Sequence, residues 1–407
     1  MPTPPNDADF EAAKACFFEG LELLQRGDAA GAERAFVASL VRVPGRPSTL
    51  VNLAATRLQL RDHEGALEAA DAALGAEPKS ADAWCHRATA LASLGRFDDA
   101  HAAFERSLAI EPGVAEVWLR HARALHAAQH FDRALVAYAR GLALDASQHD
   151  AWTRRGDLLR LAGRYDDAAE CYRRAIEHGG DTGLNGWYLA AVTGAAAPPD
   201  APADYVRALF DAYADDFDEH LVGTLGYRGH EQLWREGEAH RAARAEIGLA
   251  IDLGCGTGLC GPLMRGAARK LVGVDLSAPM LAKARERGVY DALVQADVVE
   301  HLRTMEHEAD LVVAADVLIY LGDLEPLFGA VQRAVRSGAL FGFTVEPGDP
   351  AGAPVQLLPS LRHAHTEAGL DALARRHGFE LLSRTRKPLR DDQREPVDGL
   401  YVWLRRA

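Results

Sequence analysis

Glycines at alternate positions behind an acidic residue make Asp252-Leu-Gly254-Cys-Gly256-Thr-Gly258 the stretch of this 407-residue chain best built to meet a ligand. Without a Cβ, such a loop turns tightly and its backbone approaches a bound group closely. Twenty-three residues beyond Asp252, Asp275 ends a second apolar run, where a carboxylate can accept hydrogen bonds from both hydroxyls of a ribose. Asp297 ends a third run, placed to meet an adenine amino group beside it. Gly256-Thr-Gly258-Leu-Cys-Gly261 also fits the G-x-G-x-x-G pattern of dinucleotide binding. Position argues against that reading: the first run ends at Leu253, so the turn starts at Gly254, and the third glycine of that pattern would fall at 259, which is Leu.

These residues need strands to carry them. The apolar runs LAIDLG at 249, KLVGVD at 270, ALVQAD at 292, ADLVVAAD at 309 and ALFGFTVE at 339 supply them. Between them lie GPLMRGAA, APMLAKARERG and LEPLFGAVQRAVRSG, each with helical spacing. Alternation of this kind predicts a doubly wound α/β domain.

In this order the motifs resemble class I S-adenosylmethionine-dependent methyltransferases. Asp252 with Gly254, Gly256 and Gly258 matches the first motif, Asp275 the ribose-binding acid and Asp297 the adenine-side acid. ADLVVAADVLIYLGDLEPLF resembles the fourth motif, and FELLSRTRKPL with GLYVWLRR resembles the C-terminal hairpin. The resemblance covers residues 203–407. It implies a Rossmann-like fold with a seven-stranded, mostly parallel sheet containing one antiparallel strand, and S-adenosyl-L-methionine as cofactor. Residues 205–221 and 364–370 extend it to a bacterial family of predicted methyltransferases with N-terminal tetratricopeptide (TPR) repeats.

In-line methyl transfer asks the protein only to position a nucleophile and, where needed, remove its proton. Near the methyl position the resemblance points to Asp316, followed one helical turn later by Tyr320; either could hold a substrate or accept a proton, or Asp316 caps a helix and Tyr320 packs. His363 and His365 fall where substrate loops lie in the family. Their H-x-H spacing lacks a third ligand, so no metal is expected. Tyr213, Phe217 and Asp218 show helical spacing with aromatics on one face, which the resemblance reads as a lid over the cofactor, with Tyr213 among the cofactor-binding residues.

The first half has a different texture. Ala32, Ala66, Ala100, Ala134 and Ala168 recur every 34 residues, as do Gly20, Ala54, Ala88, Ala122 and Gly156. Trp84, Trp118 and Trp152, the aromatics Phe36, Phe104, Tyr138 and Tyr172, and Pro44, Pro78 and Pro112 hold further fixed positions. This pattern resembles the TPR family. It gives five units, 13–46, 47–80, 81–114, 115–148 and 149–182, forming an all-α solenoid over 1–182 whose groove would take a protein or peptide. Cys16 and Leu50 stand where later units carry Trp, and Ala146 stands where three units have Pro. His121, His126 and His130 read as polar-face residues, with no metal expected there. Residues 183–202 break the period, with WYLAAV as a capping segment and prolines marking a joint before the domain at 203–407.

A net charge of −14 gives no clear nucleic-acid binding. No stretch approaches a membrane span or a secretory signal, so the expected setting is cytoplasmic. Five scattered cysteines read as reduced, packed thiols. The leading reading is a methyltransferase whose repeats recruit a protein or carrier-bound acceptor. The alternative is a TPR scaffold with a cofactor-sensing or inactive domain, and a nicotinamide oxidoreductase ranks third.

Overall fold

The computed structural model describes residues 6–195, 200–224, 226–244, 246–392 and 395–407. The chain divides into two compact units, Met1–Gly180 and Asp181–Ala407.

Among the described residues the first unit is five helical hairpins: Asp7–Gln25 with Ala29–Arg42, Pro47–Gln59 with His63–Ala76, Ala81–Ser93 with Phe97–Ile110, Ala115–Ala127 with Phe131–Leu144, and His149–Leu161 with Tyr165–Glu177. The small-residue series lies where helices cross most closely. A Cβ at Gly20 would sit 2.5 Å from the Phe36 ring, and one at Gly156 would sit 2.7 Å from Tyr172. The periodic tryptophans each donate their indole N–H to a carbonyl six residues back, Trp84 to Pro78 at 3.0 Å, Trp118 to Pro112 at 2.9 Å and Trp152 to Ala146 at 2.9 Å. A carbonyl is all this contact requires, which is why Ala146 serves where the other units have proline. One histidine departs from expectation: His121 is 3% exposed, stacked between Phe104 and His101 rather than on a polar face. The cysteines are all free, and four of them are buried.

The second unit opens with the helix Thr182–Thr193, which contains the WYLAAV segment. Its Trp187 and Tyr188 pack on Tyr205 of the helix Ala203–Tyr213, with ring centroids 5.0 and 6.0 Å apart. The sheet comes next: β1 (Ile247–Leu253), β2 (Ala268–Asp275), β3 (Ala292–Gln295), β4 (Ala309–Ala314), β5 (Val335–Pro347), β6 (Val355–Leu357), β7 (His363–His365), β8 (Phe379–Asp392) and β9 (Glu395–Arg406). The first five pair in parallel in the order β3-β2-β1-β4-β5. β9 then runs antiparallel to β5, and β8 pairs antiparallel with β9. This is the expected seven-stranded sheet with one reversed strand.

Two short strands are added to it. β5 is long enough to pair with β9 through Leu340–Val345 and, beyond that, with β7 through Glu346 and Pro347. β7 in turn pairs with β6, so the segment carrying His363 and His365 is a strand and not an open loop. The central strands read as continuous apolar runs because both faces are covered. Phe328, Phe341 and Phe343 pack edge-on over one face, while Leu233, Met264 and Trp403 are buried on the other. The chain moves outward from β1 to β3 on one side and from β4 to β5 on the other. The order therefore reverses between β1 and β4, and a crevice forms there at the strands' C-terminal ends. No helix among the described residues is long and apolar enough to cross a membrane.

Candidate active site

Gly254, Gly256 and Gly258, at that crevice, have φ of 61°, 54° and 86°, the left-handed region that glycine enters without penalty. Gly254 and Gly258 are also tight: a Cβ would lie 2.4 Å from Val317 at the first and 3.0 Å from Tyr290 at the second. At Gly256 a Cβ would meet nothing within 4 Å, so there the backbone borders open space. Asp275, at the end of β2, ties itself to this loop. One oxygen accepts from the Gly256 N–H at 2.8 Å and the other from the Ser277 N–H at 2.9 Å. Burial raises its carboxyl above the usual carboxylate range, against the pull of these backbone donors.

Asp252, 1% exposed, accepts from the Tyr290 hydroxyl at 2.6 Å. Burial pushes its carboxyl up to about 7, with the nearby Asp275 charge adding to the effect. An unfolded aspartate titrates near 3.9, so the folded chain keeps a proton that the unfolded chain loses as pH rises. Stability from this group is fully present below about pH 4 and declines as pH rises through 7, by roughly 4 kcal/mol at most. Asp252→Asn is therefore expected to melt progressively higher than the parent between pH 5 and pH 8. Parallel melting curves across that range would show that Asp252 titrates normally. Cys255 and Cys260 flank the loop with thiols that burial keeps protonated, as packing residues.

Three acids of the segment 211–218 fasten it beside the loop. Asp211 accepts from the Ser277 hydroxyl at 2.6 Å, Asp215 pairs with Lys283 at 3.1 Å, and Asp218 accepts from the Thr257 hydroxyl at 2.5 Å. Arg287 closes the arrangement by pairing with Asp218 and donating to the Thr257 carbonyl at 2.6 Å. Tyr213 and Phe217 meet edge to face at 5.7 Å, and Phe210 bridges Phe217 and Tyr320 at 6.0 and 5.4 Å. Asp297 sits at the end of β3, two strands from the loop. Its carboxylate accepts from the N–H groups of Val299 and Glu300 at 2.9 and 3.0 Å, capping the helix Val298–Arg303.

Beyond β4, Asp316 has φ of 60° and its N–H donates to the Thr344 hydroxyl at 2.8 Å. The chain then enters the 3-10 turn Leu318–Tyr320, not an α-helix, and Asp316 does not cap it. Its carboxylate lies 3.5 Å from Arg390, whose guanidinium also grips Glu346, and Arg362 stands 3.6 Å from the same Glu346. Two acids and two arginines thus share one cluster, with Arg390 and Glu346 buried and Asp316 and Arg362 partly so. Burial raises the Asp316 carboxyl against the opposing charge of Arg362, and pushes the Tyr320 hydroxyl up to about 12. His363 and His365 are buried in β7; His365 Nε2 lies 3.4 Å from the Leu318 carbonyl, and burial holds its imidazole down at about 4. The structure thus gathers Tyr320, Asp316 and His365 around the turn after β4, and gathers Asp275, the glycine loop and the 211–218 segment around β1 and β2.

Sequence reasoning missed Thr257, Arg287, Glu346, Arg362 and Arg390. The interleaved acids of 211–218 were a signal for the first two. Arg390 stood in a polar run with no local pattern, 44 residues from Glu346 and 74 from Asp316.

A family model described as a methyltransferase domain matches residues 251–343. Tetratricopeptide repeat models match 17–80, 51–115, 91–153 and 149–179. Among curated proteins, the malonyl-[acyl-carrier protein] O-methyltransferase of Enterobacter lignolyticus is 30% identical over 166 residues, 41% of this chain and 60% of that protein. Its counterpart from Hamiltonella defensa is 31% identical over 94 residues, 23% of this chain and 36% of that one. A demethylmenaquinone methyltransferase of Roseiflexus is 31% identical over 152 residues, 35% and 61% of the two chains. The chain thus spans between about a third and three fifths of the length of these relatives. Among solved structures, MamA is similar at 22% identity and a TM-score of 0.36, over 39% of this chain and 93% of that one. The magnesium protoporphyrin IX methyltransferase of Synechocystis with bound SAH is similar at 18% identity and a TM-score of 0.39, over 50% and 99%.

Proposed function

Starting from a chain of tetratricopeptide repeats joined to a methyltransferase domain, we propose that it methylates, with S-adenosylmethionine, an acceptor recruited by its repeats in the cytoplasm. The observation that carries this reading is the left-handed glycine loop tied through Gly256 to Asp275, with open space in front of Gly256. A nucleoside fits such a cradle: Gly256 leaves room for a close approach, and Asp275 offers a carboxylate to ribose hydroxyls. Asp252 precedes the loop in β1, Asp297 follows β3 two strands away, and Tyr213 lies on the fastened segment beside the loop. The cofactor supplies an electrophilic methyl on a sulfonium.

The chain's own task is to position the acceptor and exclude water. Tyr320 and Asp316 stand nearest the turn after β4, where an acceptor would be held; Asp316, raised by burial, is suited to take a proton from it. His363 and His365 form the wall behind that turn. On the repeats, a cavity of about 530 Å3 is lined by the first helices of three successive hairpins and by Phe97 and Phe104 of the middle one's second helix, with His86, Thr89, Glu116, Arg120 and Arg123 among its polar groups. A concave surface crossing repeat boundaries suits a peptide or a carrier protein better than a small metabolite. The relatives named for a carrier-borne malonyl group favour the same class of acceptor.

The whole chain and the fragment 181–407 are expected to bind S-adenosylmethionine and its demethylated product equally, and neither to bind NAD. Removing the repeats should raise KM for the protein acceptor while leaving turnover of a small surrogate nucleophile intact. Calorimetry showing NAD binding without either sulfur nucleoside would sink the cofactor assignment. An unchanged KM in the fragment would remove recruitment from the repeats' role.

A further inference from the structure

His101 and Glu105 are four residues apart in the helix Phe97–Ile110, on one face of it. The next helix, Ala115–Ala127, brings His121 against them. His101 Nδ1 and His121 Nε2 lie 2.7 Å apart, the two rings stack with centroids 4.9 Å apart, and one ligand atom from each of the three residues falls within 4.8 Å of the others. All three line a cavity of about 300 Å3, together with Trp118, Asp132 and Arg133. His121 is fixed in the core between Phe104 and His101, whereas His101 is half-buried and Glu105 is exposed at the rim.

Two imidazoles and one carboxylate are a donor set that zinc, cobalt and nickel accept, and three protein ligands leave a position open. We propose that His101 through Nδ1, His121 through Nε2 and Glu105 bind one divalent transition metal of the zinc type, linking the third and fourth hairpins with the open position facing the cavity. Ligand bonds of about 2.0 Å in a tetrahedron set neighbouring nitrogens roughly 3.3 Å apart, so the two rings must part by about half an ångström and tilt until both lone pairs converge on the metal. The half-exposed His101 ring can make that adjustment while His121 stays in place. His101 Nε2 now faces the Arg133 guanidinium. Metal on Nδ1 keeps the proton on Nε2, so Arg133 must turn away, which its exposed position on the helix Phe131–Leu144 allows. Without metal the same groups form a hydrogen-bonded relay from Arg133 through His101 to His121.

The test is a titration of the untagged, chelator-treated full chain, with Zn2+ by calorimetry and with Co2+ by visible absorption. One equivalent is expected to bind, with the cobalt bands of a low-coordinate nitrogen and oxygen site. Glu105→Gln and His121→Asn should each weaken binding by about tenfold or more, equivalent to at least ~1.4 kcal/mol. Should the core position 121 not tolerate the change, His101→Ala at its half-exposed position tests the same ligand set. Absence of stoichiometric binding, or binding that survives Glu105→Gln and His101→Ala at parental affinity, overturns the proposal and leaves the relay.

Discussion

Asp275→Ala is expected to weaken S-adenosylmethionine binding by about 2–4 kcal/mol, roughly thirtyfold to several-hundredfold, as measured by calorimetry. Two losses combine in this figure. The first is the pair of charge-assisted hydrogen bonds that a carboxylate at the end of β2 offers to a ribose. The second is the anchor on Gly256, whose N–H donates to Asp275 at 2.8 Å and whose φ of 54° belongs to the turn that borders the open space. Asp275→Asn keeps one accepting oxygen and the shape of the side chain, so its loss should be smaller. Asp297→Ala should also cost less, because an adenine edge has one amino group to offer. Its main effect on the ligand-free chain is loss of the cap on the helix Val298–Arg303. Melting of the ligand-free variants separates a lost contact from a collapsed loop. Unchanged affinity in Asp275→Ala would remove that residue from the cofactor site.

Arg390→Met is expected to destabilise the second unit by about 3–5 kcal/mol, because it strands charge in the interior. Arg390 and Glu346 are 3% and 5% exposed and in direct contact. Without the guanidinium, Glu346 loses its direct contact while Arg362 stays 3.6 Å away, and Asp316 loses its neighbour at 3.5 Å. For a unit of this size the loss corresponds to a melting shift on the order of 10 °C. The two units need not melt together, so the transition of the second is to be followed by near-ultraviolet dichroism of its own aromatics. The double variant Arg390→Met with Glu346→Met should recover much of the loss, since it removes both buried charges. Equal melting of Arg390→Met and the parent would mean that the cluster stays neutralised without the Arg390 guanidinium.

The repeats, the five parallel strands and the glycine loop were all legible from residue types and spacing. A 34-residue period arises from contacts between neighbouring helices, as where Gly20 meets Phe36, and such contacts recur in every unit. The runs at 249, 270, 292, 309 and 339 became β1 to β5 because strands buried on both faces are apolar throughout. Alternating glycines announced left-handed backbone because few other residues adopt it.

Tertiary structure alone decided the rest. His121 has the sequence surroundings of a surface residue, and only the meeting of two hairpins buries it against Phe104. The turn after Asp316 is a 3-10 turn held by Thr344 on the neighbouring strand, a contact that helical spacing does not encode. His363 and His365 became β7 because β5 outruns β9 and leaves an edge to be paired. Arg390 found Glu346, and Arg287 found Asp218, across 44 and 69 residues of chain. Periodicity reports what each residue owes to its near neighbours. An ion pair or a packed ring between distant segments depends on the register in which strands and helices are brought together, and no local pattern carries that register.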